Sequence, residues 1–426
     1  MSKLKTAIGV SLVALTIGSP VNLSTASAKR RAATLKVVDT AASVSKYRIK
    51  KGTLYQNYRL TKRAKRVQQK YKKKLVYSNE TITVRLPNGK KAVYQHLATL
   101  TGKSLGYINR HNVQKVATLD WNFGDSDAPY KLKKAEQKAF SKADLAQIKA
   151  YRTQAKKIGN STKKMYTTMP QLTGHFNAGK LSAAYIQADV NWINFYRGLY
   201  GLPAVSSNPT WNADAQYGAA TLAAVDQGLS HGLVAFSKPS FITAADWQRG
   251  AAATNSSNLY GGGNHPFDVI TAYINDDGNA VPGHREWLLG GIQQVGIGQA
   301  KAYNDLKVFG TGATTTTPRK LIFPKAGLFP YEAAADGVWS VSLPGSTMSG
   351  TPRVTVYDQT AKKTVSVTHV HANRSGYGGF GTSIDYTPHQ VTVNHTYQVS
   401  VTHLPDGQAD LHYTTKLFSL TNNSRQ

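Results

Sequence analysis

No cysteine occurs anywhere in the 426 residues of this chain. No disulfide can staple the fold and no thiolate can act as a nucleophile, so packing and hydrogen bonding must hold it together. A structural zinc site built from cysteines is excluded for the same reason. The material for packing is present: 41% of residues are apolar, including 6 Trp and 23 Tyr. The length suits two or three domains of roughly 100–200 residues each.

The N-terminus places the chain in a compartment. Lys3 and Lys5 precede a mostly apolar run from Thr6 to Ser19, then Ala26-Ser27-Ala28 and at once Lys29-Arg30-Arg31. A positive start, a short apolar stretch and a small-x-small site predict a signal peptide over residues 1–28, cleaved after Ala28. A membrane anchor would need about 20 apolar residues, more than this run supplies. No later segment is long and apolar enough to span a bilayer. The end, Asn422-Asn423-Ser424-Arg425-Gln426, shows neither a sorting motif nor a hydrophobic tail, so covalent wall attachment is not expected. Export without cysteine fits a bacterium that does not rely on disulfides outside its membrane.

Charge is concentrated in one half. Residues 29–170 hold 34 Lys and Arg against 7 Asp and Glu, whereas residues 171–426 hold 16 against 15. Such asymmetry speaks of partners rather than of fold. A segment this basic attracts any polyanion within a Debye length of about 8 Å. Outside a Gram-positive cell the abundant polyanions are teichoic acids of the wall, with peptidoglycan beside them, and the anionic membrane surface, met only peripherally. Export argues against nucleic acid. Within this half, 29–44 reads as a basic leader and 45–115 as short strands. The strands are Tyr47 to Lys50, Leu75 to Tyr77, Thr81 to Val84 and Ala92 to Tyr94, with turns at Gly52, Pro87-Asn88-Gly89 and Gly102. A basic run, Lys62 to Lys74, lies between two of them. Gly102-Lys103-Ser104-Leu105-Gly106-Tyr107-Ile108 resembles the closing strand of bacterial SH3-like wall-binding modules, which implies a small β-barrel. Residues 116–170 read as a Lys/Ala-rich, solvated helical linker.

From Leu181 the pattern changes. Ile186, Val190, Ile193 and Phe195 recur at helical spacing before Gly201 and Pro203, and Asn212 offers a cap for a second helix ending near Gly228. Pro266 to Ile274 and Gly283 to Leu289 read as further helices. Gln294 to Gly298 and Leu306 to Phe309 read as strands. Helices and strands mixed without regular alternation predict an α+β class. Beyond the Thr-rich stretch Thr314 to Pro318, alternating runs separated by turns predict an all-β sandwich of Ig-like type over 313–426, with Trp339 in its core. His369 and His371, two apart on one strand, read as solvent-facing.

Several short motifs occupy 194–298 in order: Asn194-Phe195-Tyr196-Arg197 with Gly201-Leu202-Pro203, Leu229-Ser230-His231, Ser257-Asn258-Leu259, Tyr273-Ile274-Asn275-Asp276-Asp277, Gly283-His284-Arg285-Glu286-Trp287 and Val295-Gly296-Ile297-Gly298. Together they resemble the CAP superfamily of cysteine-rich secretory, antigen 5 and pathogenesis-related proteins, in its bacterial SCP-like branch. The resemblance implies an α-β-α sandwich over 171–312 with a cleft lined by two histidines, which map to His231 and His284. Two imidazoles in one cleft can bind a divalent metal such as zinc, or one can act as a base near neutral pH. The acidic partners depart from the family pattern. Ser257, before Asn258, stands where members carry a Glu, leaving Asp276 and Asp277 as candidates for the second acid, although a helix-ending turn explains them equally. Glu286 reads as a solvated helix residue. Ser230 adjoins His231, but no Gly-x-Ser-x-Gly elbow accompanies it. Three functions stay open: a ligand- or metal-binding cleft, a metal-assisted hydrolase of peptide or wall polymer, and an adhesin whose cleft is idle.

Overall fold

The computed structural model describes residues 32–72, 74–98, 104–119, 134–276, 279, 281–309, 317–335, 337–345, 351–404 and 408–421. The expected signal peptide and Asp277 lie outside them. The chain has a mixed α+β fold in two compact units, 1–120 and 121–426. Among the described residues no helix is long and apolar enough to cross a membrane.

The first unit is one six-stranded sheet. Its elements are β1 (Thr34–Ile49), β2 (Leu54–Tyr55), helix α1 (Lys65–Tyr71), β3 (Val76–Arg85), β4 (Lys91–Ala98), β5 (Ser104–Asn109) and β6 (Val113–Leu119), in the order β2-β5-β4-β3-β1-β6. Period-two alternation builds it: Ile82 and Val84 are buried while Thr81, Thr83 and Arg85 are not. Strand β1 starts at Thr34, pairing with Arg85, so sheet occupies much of the stretch expected as a leader. The basic run Lys62 to Lys74 contains helix α1, because Ala64, Val67 and Tyr71 recur at helical spacing and rest on the core formed by Ile49, Leu54, Val76, Leu97 and Ile108.

The second unit opens with α2 (Lys134–Ala139) and α3 (Lys142–Ile158). Ser141 and Asp144 form a capping box at the start of α3. The expectation for this segment is a solvated linker, and the structure corrects it. Ile148 and Ala155 are fully buried, Tyr151 packs beside them, and the Arg152 guanidinium binds both oxygens of the buried Glu136 at 2.8 Å. The abundance of lysine hides an apolar stripe of one residue per turn.

The elements that follow are β7 (Tyr166–Thr168), β8 (Lys180–Leu181), α4 (Ala183–Leu199), β9 (Ser206–Ser207), α5 (Pro209–Val225), α6 (Ala244–Asn255), β10 (Ser257–Gly261), α7 (Pro266–Asn275), α8 (Gly283–Leu288), β11 (Gln294–Ala300) and β12 (Tyr303–Lys307). Strands β10-β12-β11-β9 form a sheet. Val295 and Ile297 point into the core shared with α4 and α7. Gly296 and Gly298 point the other way, where α5 lies so close that a Cβ on Gly298 would stand 2.0 Å from the Ala215 carbonyl oxygen. The Val-Gly-Ile-Gly sequence is thus a strand with helices on both faces, the glycines admitting the nearer one.

The last part comprises β13 (Leu321–Phe323), β14 (Gly327–Pro330), α9 (Tyr331–Ala334), β15 (Trp339–Leu343), β16 (Arg353–Asp358), β17 (Lys363–Val365), β18 (Val367–Arg374), β19 (Thr382–Pro388), β20 (Thr396–Thr402) and β21 (Leu411–Phe418). They make two sheets, β13-β15-β19-β18 and β14-β21-β20-β16-β17. Trp339 is fully buried, edge-on to Tyr386 of the first sheet and Tyr397 of the second. One apolar core runs from Phe140 to Leu420, so the helical part and these sheets are not separately packed.

Arg152 also donates from Nε to the Ser419 carbonyl at 3.0 Å, tying α3 to the far end of the chain. Removing one partner of a buried ion pair leaves the other charge uncompensated, at a cost of about 3–5 kcal/mol. Arg152→Ala is therefore expected to destabilise the second unit by that amount in urea unfolding, well beyond the effect of the exposed neighbour Lys149→Ala.

Candidate functional site

Helix α7 ends at Asp276, which takes the left-handed conformation (φ 55°) that closes a helix and that Asp tolerates. Its carboxylate is buried and fully engaged. One oxygen accepts from His284 Nδ1 at 2.9 Å and from Asn279 Nδ2 at 2.6 Å, and the other from the Arg285 backbone N–H at 3.1 Å. Asp276 is thus both a helix-ending residue and the partner of His284. Because a carboxylate only accepts, Nδ1 carries the proton and Nε2 is left as the lone-pair nitrogen of the neutral ring. The ring packs edge-on to Tyr273 at 5.3 Å, and the side chain is 25% exposed.

His231 lies on a single 3-10 turn, His231–Leu233. Leu233 is buried with Leu222 and Leu259, which leaves His231 on the surface. Its Nδ1 donates to the Thr254 carbonyl at 2.8 Å, so here too Nε2 is the free nitrogen. The neighbouring Ser230 hydroxyl accepts from the Ala235 N–H and closes the turn. Asn258 Nδ2 donates to the His284 carbonyl at 3.3 Å. The two histidine segments are therefore tied to residues 254 and 258 of one short stretch, the end of α6 and the start of β10.

Ser257 is fully buried and donates to the Ala253 carbonyl at 2.8 Å. Asn258 is buried as well, its carbonyl accepting from Tyr273 OH. Beneath them, Tyr273 OH reaches Asn304, and Asn304 reaches Gln299. Asp189, on the buried side of α4, is pushed well above the usual carboxylate range by desolvation.

Glu286, expected on a solvated helix face, is fully buried, and the structure corrects that reading. Its carboxylate accepts from the Ser375 hydroxyl in the loop between β18 and β19. That loop, Ser375 to Gly381, rests on α8. A Cβ on Gly378 (φ 61°) would stand 1.9 Å from the Glu286 carbonyl oxygen, and Gly378 O accepts from the Gly291 N–H at 3.0 Å. The Tyr377 ring lies against Gly283, the residue before His284, and is 41% exposed. Tyr377 flanks the histidine site from a sequence distance of more than ninety residues. The only trace of this in the sequence is a Gly-Tyr-Gly-Gly cluster between strands.

His369 and His371 do not share a strand face as a pair. A register shift separates Thr368 from His371, and His369 instead shares the Thr368 hydroxyl with His389. Both histidines of the pair are exposed, as expected.

A catalytic zinc takes three protein ligands and a water. Among the described residues no group of three or more His, Asp or Glu is placed to hold a metal ion. His231 and His284 each offer an Nε2 atom, while Asp276 is buried with both oxygens engaged and the Ser257 hydroxyl is bonded to Ala253. These donors, among the described residues, do not complete a catalytic zinc set. No family model, curated protein or solved structure matches this chain.

Burial pushes the Glu286 carboxyl up to about 7 and that of Asp305, on β12, up to about 8. Both values lie above those of the unfolded chain, so the folded state binds more protons and stability falls as pH rises. The loss begins near pH 3.8 for Asp305 and near 4.5 for Glu286, ends near 8 and near 7 respectively, and amounts to about 1.4 kcal/mol per pH unit for each group while it titrates. The melting temperature of the wild type is expected to decline over this window, and Glu286→Gln to flatten its part, below about pH 7.

Proposed function

We propose that this is an exported protein of the CAP type, held at the cell envelope by its basic first unit. Its second unit presents His231 and His284 as a ligand-binding cleft. Helices on both faces of a four-stranded sheet, with the two histidines tied to the end of α6 and the start of β10, support the family reading. One observation carries the choice of binding over hydrolysis: the carboxylate beside His284 is buried away from water, with both of its oxygens already accepting hydrogen bonds. Asp276 spends both on His284, Asn279 and Arg285, so it orients an imidazole and cannot also activate water. The residue in the family's other acidic position is a buried serine whose hydroxyl is already committed.

Hydrolysis is the second reading, favoured by the Asp276–His284 pair itself. A carboxylate fixing one imidazole nitrogen leaves the other poised as a base or a metal ligand. Wall fragments incubated with the purified protein, with and without chelator, separate the two. Retention of phosphate-free fragments, which the basic first unit does not hold, is expected without soluble products, with His231→Ala and His284→Ala each weakening it about tenfold or more. Asp276→Asn is expected to act in the same direction, because the amide no longer selects the Nδ1–H tautomer. Soluble products that vanish in both histidine variants would establish hydrolysis instead. Retention unchanged in both would make the cleft idle and the second unit adhesive by another surface.

A further inference from the structure

The first unit carries a specific cationic surface, not merely a diffuse excess of charge. Residues 40–79 contain thirteen Lys and Arg and no carboxylate. The only acids in 32–119 are Asp39 and Glu80, and Glu80 is paired with His96 at 3.2 Å. Helix α1 sits in the middle of this stretch. Because Ala64, Val67 and Tyr71 turn towards the core, Lys65, Arg66 and Lys70 stand on the opposite side, and all three are exposed. Gln68 ties the helix to the β1–β2 loop, donating to Gly52 O at 2.6 Å and accepting from the Leu54 N–H at 3.0 Å. That brings exposed Lys50 and Lys51 alongside. Lys70 and Lys74 each hold their ammonium 5.9 Å from the Tyr71 ring, so two of the charges are kept together rather than splayed.

We infer that this face, α1 with the tied loop at Lys50 and Lys51, is a binding site for a linear polymer bearing a phosphate on each repeat. The inference deepens the retention half of the function proposed above and rests on it for where such a polymer is met. A row of ammonium and guanidinium groups with no interleaved carboxylate matches a row of phosphates, and binding is driven by release of the polymer's counterions. Membrane insertion is disfavoured because this face has no apolar stripe: the large apolar residues exposed in the unit, among those described, are Leu75 and Val116. Single-stranded nucleic acid would need exposed rings for base stacking, and no described Tyr, Phe or Trp of the unit is among the exposed residues.

The test uses the full chain and labelled long-chain inorganic polyphosphate, with affinity measured between about 50 and about 200 mM salt. Lys65→Gln, Arg66→Gln and Lys70→Gln combined are expected to weaken binding at least tenfold at the lower salt. They should also reduce the log–log salt slope by about 2, at about 0.7 for each phosphate no longer neutralised. Arg85→Gln, Lys90→Gln and Lys91→Gln combined remove the same charge at another end of the sheet and are expected to cost less than about threefold, the loss of long-range attraction alone. All six positions are exposed, so both triple variants are expected to melt with the wild type. Equal losses in the two would overturn the proposal, since net charge alone would then suffice. Tighter binding to anionic lipid vesicles than to polyphosphate would overturn it in favour of a membrane, and absence of polyphosphate binding would overturn it outright. His231→Ala and His284→Ala are expected to leave polyphosphate binding intact. A loss there would move the site to the cleft, whereas failure of the cleft proposal leaves this one standing.

Discussion

The arrangement of the second unit depends on one buried cation. The Arg285 guanidinium is fully enclosed and donates to the carbonyls of Ile274 and Asn275, to Val338 O and to the Ser340 hydroxyl, with the Phe323 ring 3.7 Å from its centre. The first two acceptors are the open end of helix α7, where unpaired carbonyls and the helix dipole favour positive charge. The others lie at and beside the start of β15. Burial lowers the affinity of Arg285 for its proton, and the nearby carboxyls of Asp276, Asp385 and Glu286 work against that. A single side chain therefore fixes the end of α7 and the start of a central strand, β15, and places the histidine-bearing helix between them. The Asp276–His284 contact is a consequence, because the Arg285 backbone N–H is one of the groups that orient the Asp276 carboxylate.

Arg197 performs a comparable task with carbonyls alone. It donates to Pro203 O, Leu288 O, Gly290 O and Ile292 O, joining α4 to the segment that leaves α8. With no acid facing it, burial draws it down to about 10, still charged at neutral pH. Asn194, three residues earlier, bridges the backbone N–H and C=O of Val205. Much of the motif series that suggests a family is thus architecture. The Asn-Phe-Tyr-Arg and Val-Gly-Ile-Gly segments hold layers together, whereas Asp276 is spent on orienting the His284 ring.

This division explains what is legible in the sequence. Strands with period-two alternation, such as Thr81 to Val84 and Trp339 to Leu343, announce themselves because every second residue faces an apolar core. The Asp276–His284 pair is half legible, as a carboxylate eight residues before a histidine. Nothing in the spacing shows that the same aspartate engages both of its oxygens. Glu286 reads wrongly because a charged residue on a short helix normally faces water. Here the loop carrying Ser375 and Gly378 covers it, and nothing local to residue 286 reports that loop. Helix α3 is hidden by composition: one apolar residue per turn suffices when Arg152 buries its charge against Glu136.

The two units solve opposite electrostatic problems. The second is nearly neutral beyond residue 170, yet it buries Arg197 and Arg285 against backbone acceptors and raises the carboxyls of Glu286, Asp189 and Asp305 by desolvation. Buried polar groups of this kind lower stability unless they are satisfied, and what they provide is a fixed geometry. The first unit buries almost no charge and leaves its lysines exposed around two small apolar clusters. Self-repulsion there is tolerable because water and salt screen it, and it is relieved further by any counter-charged polymer that binds. A small sheet with few carboxylates is therefore expected to be more stable bound than free, by the same linkage that makes ligands stabilise the state they prefer. On that account the stability of the first unit depends on its partner, while that of the second depends on pH.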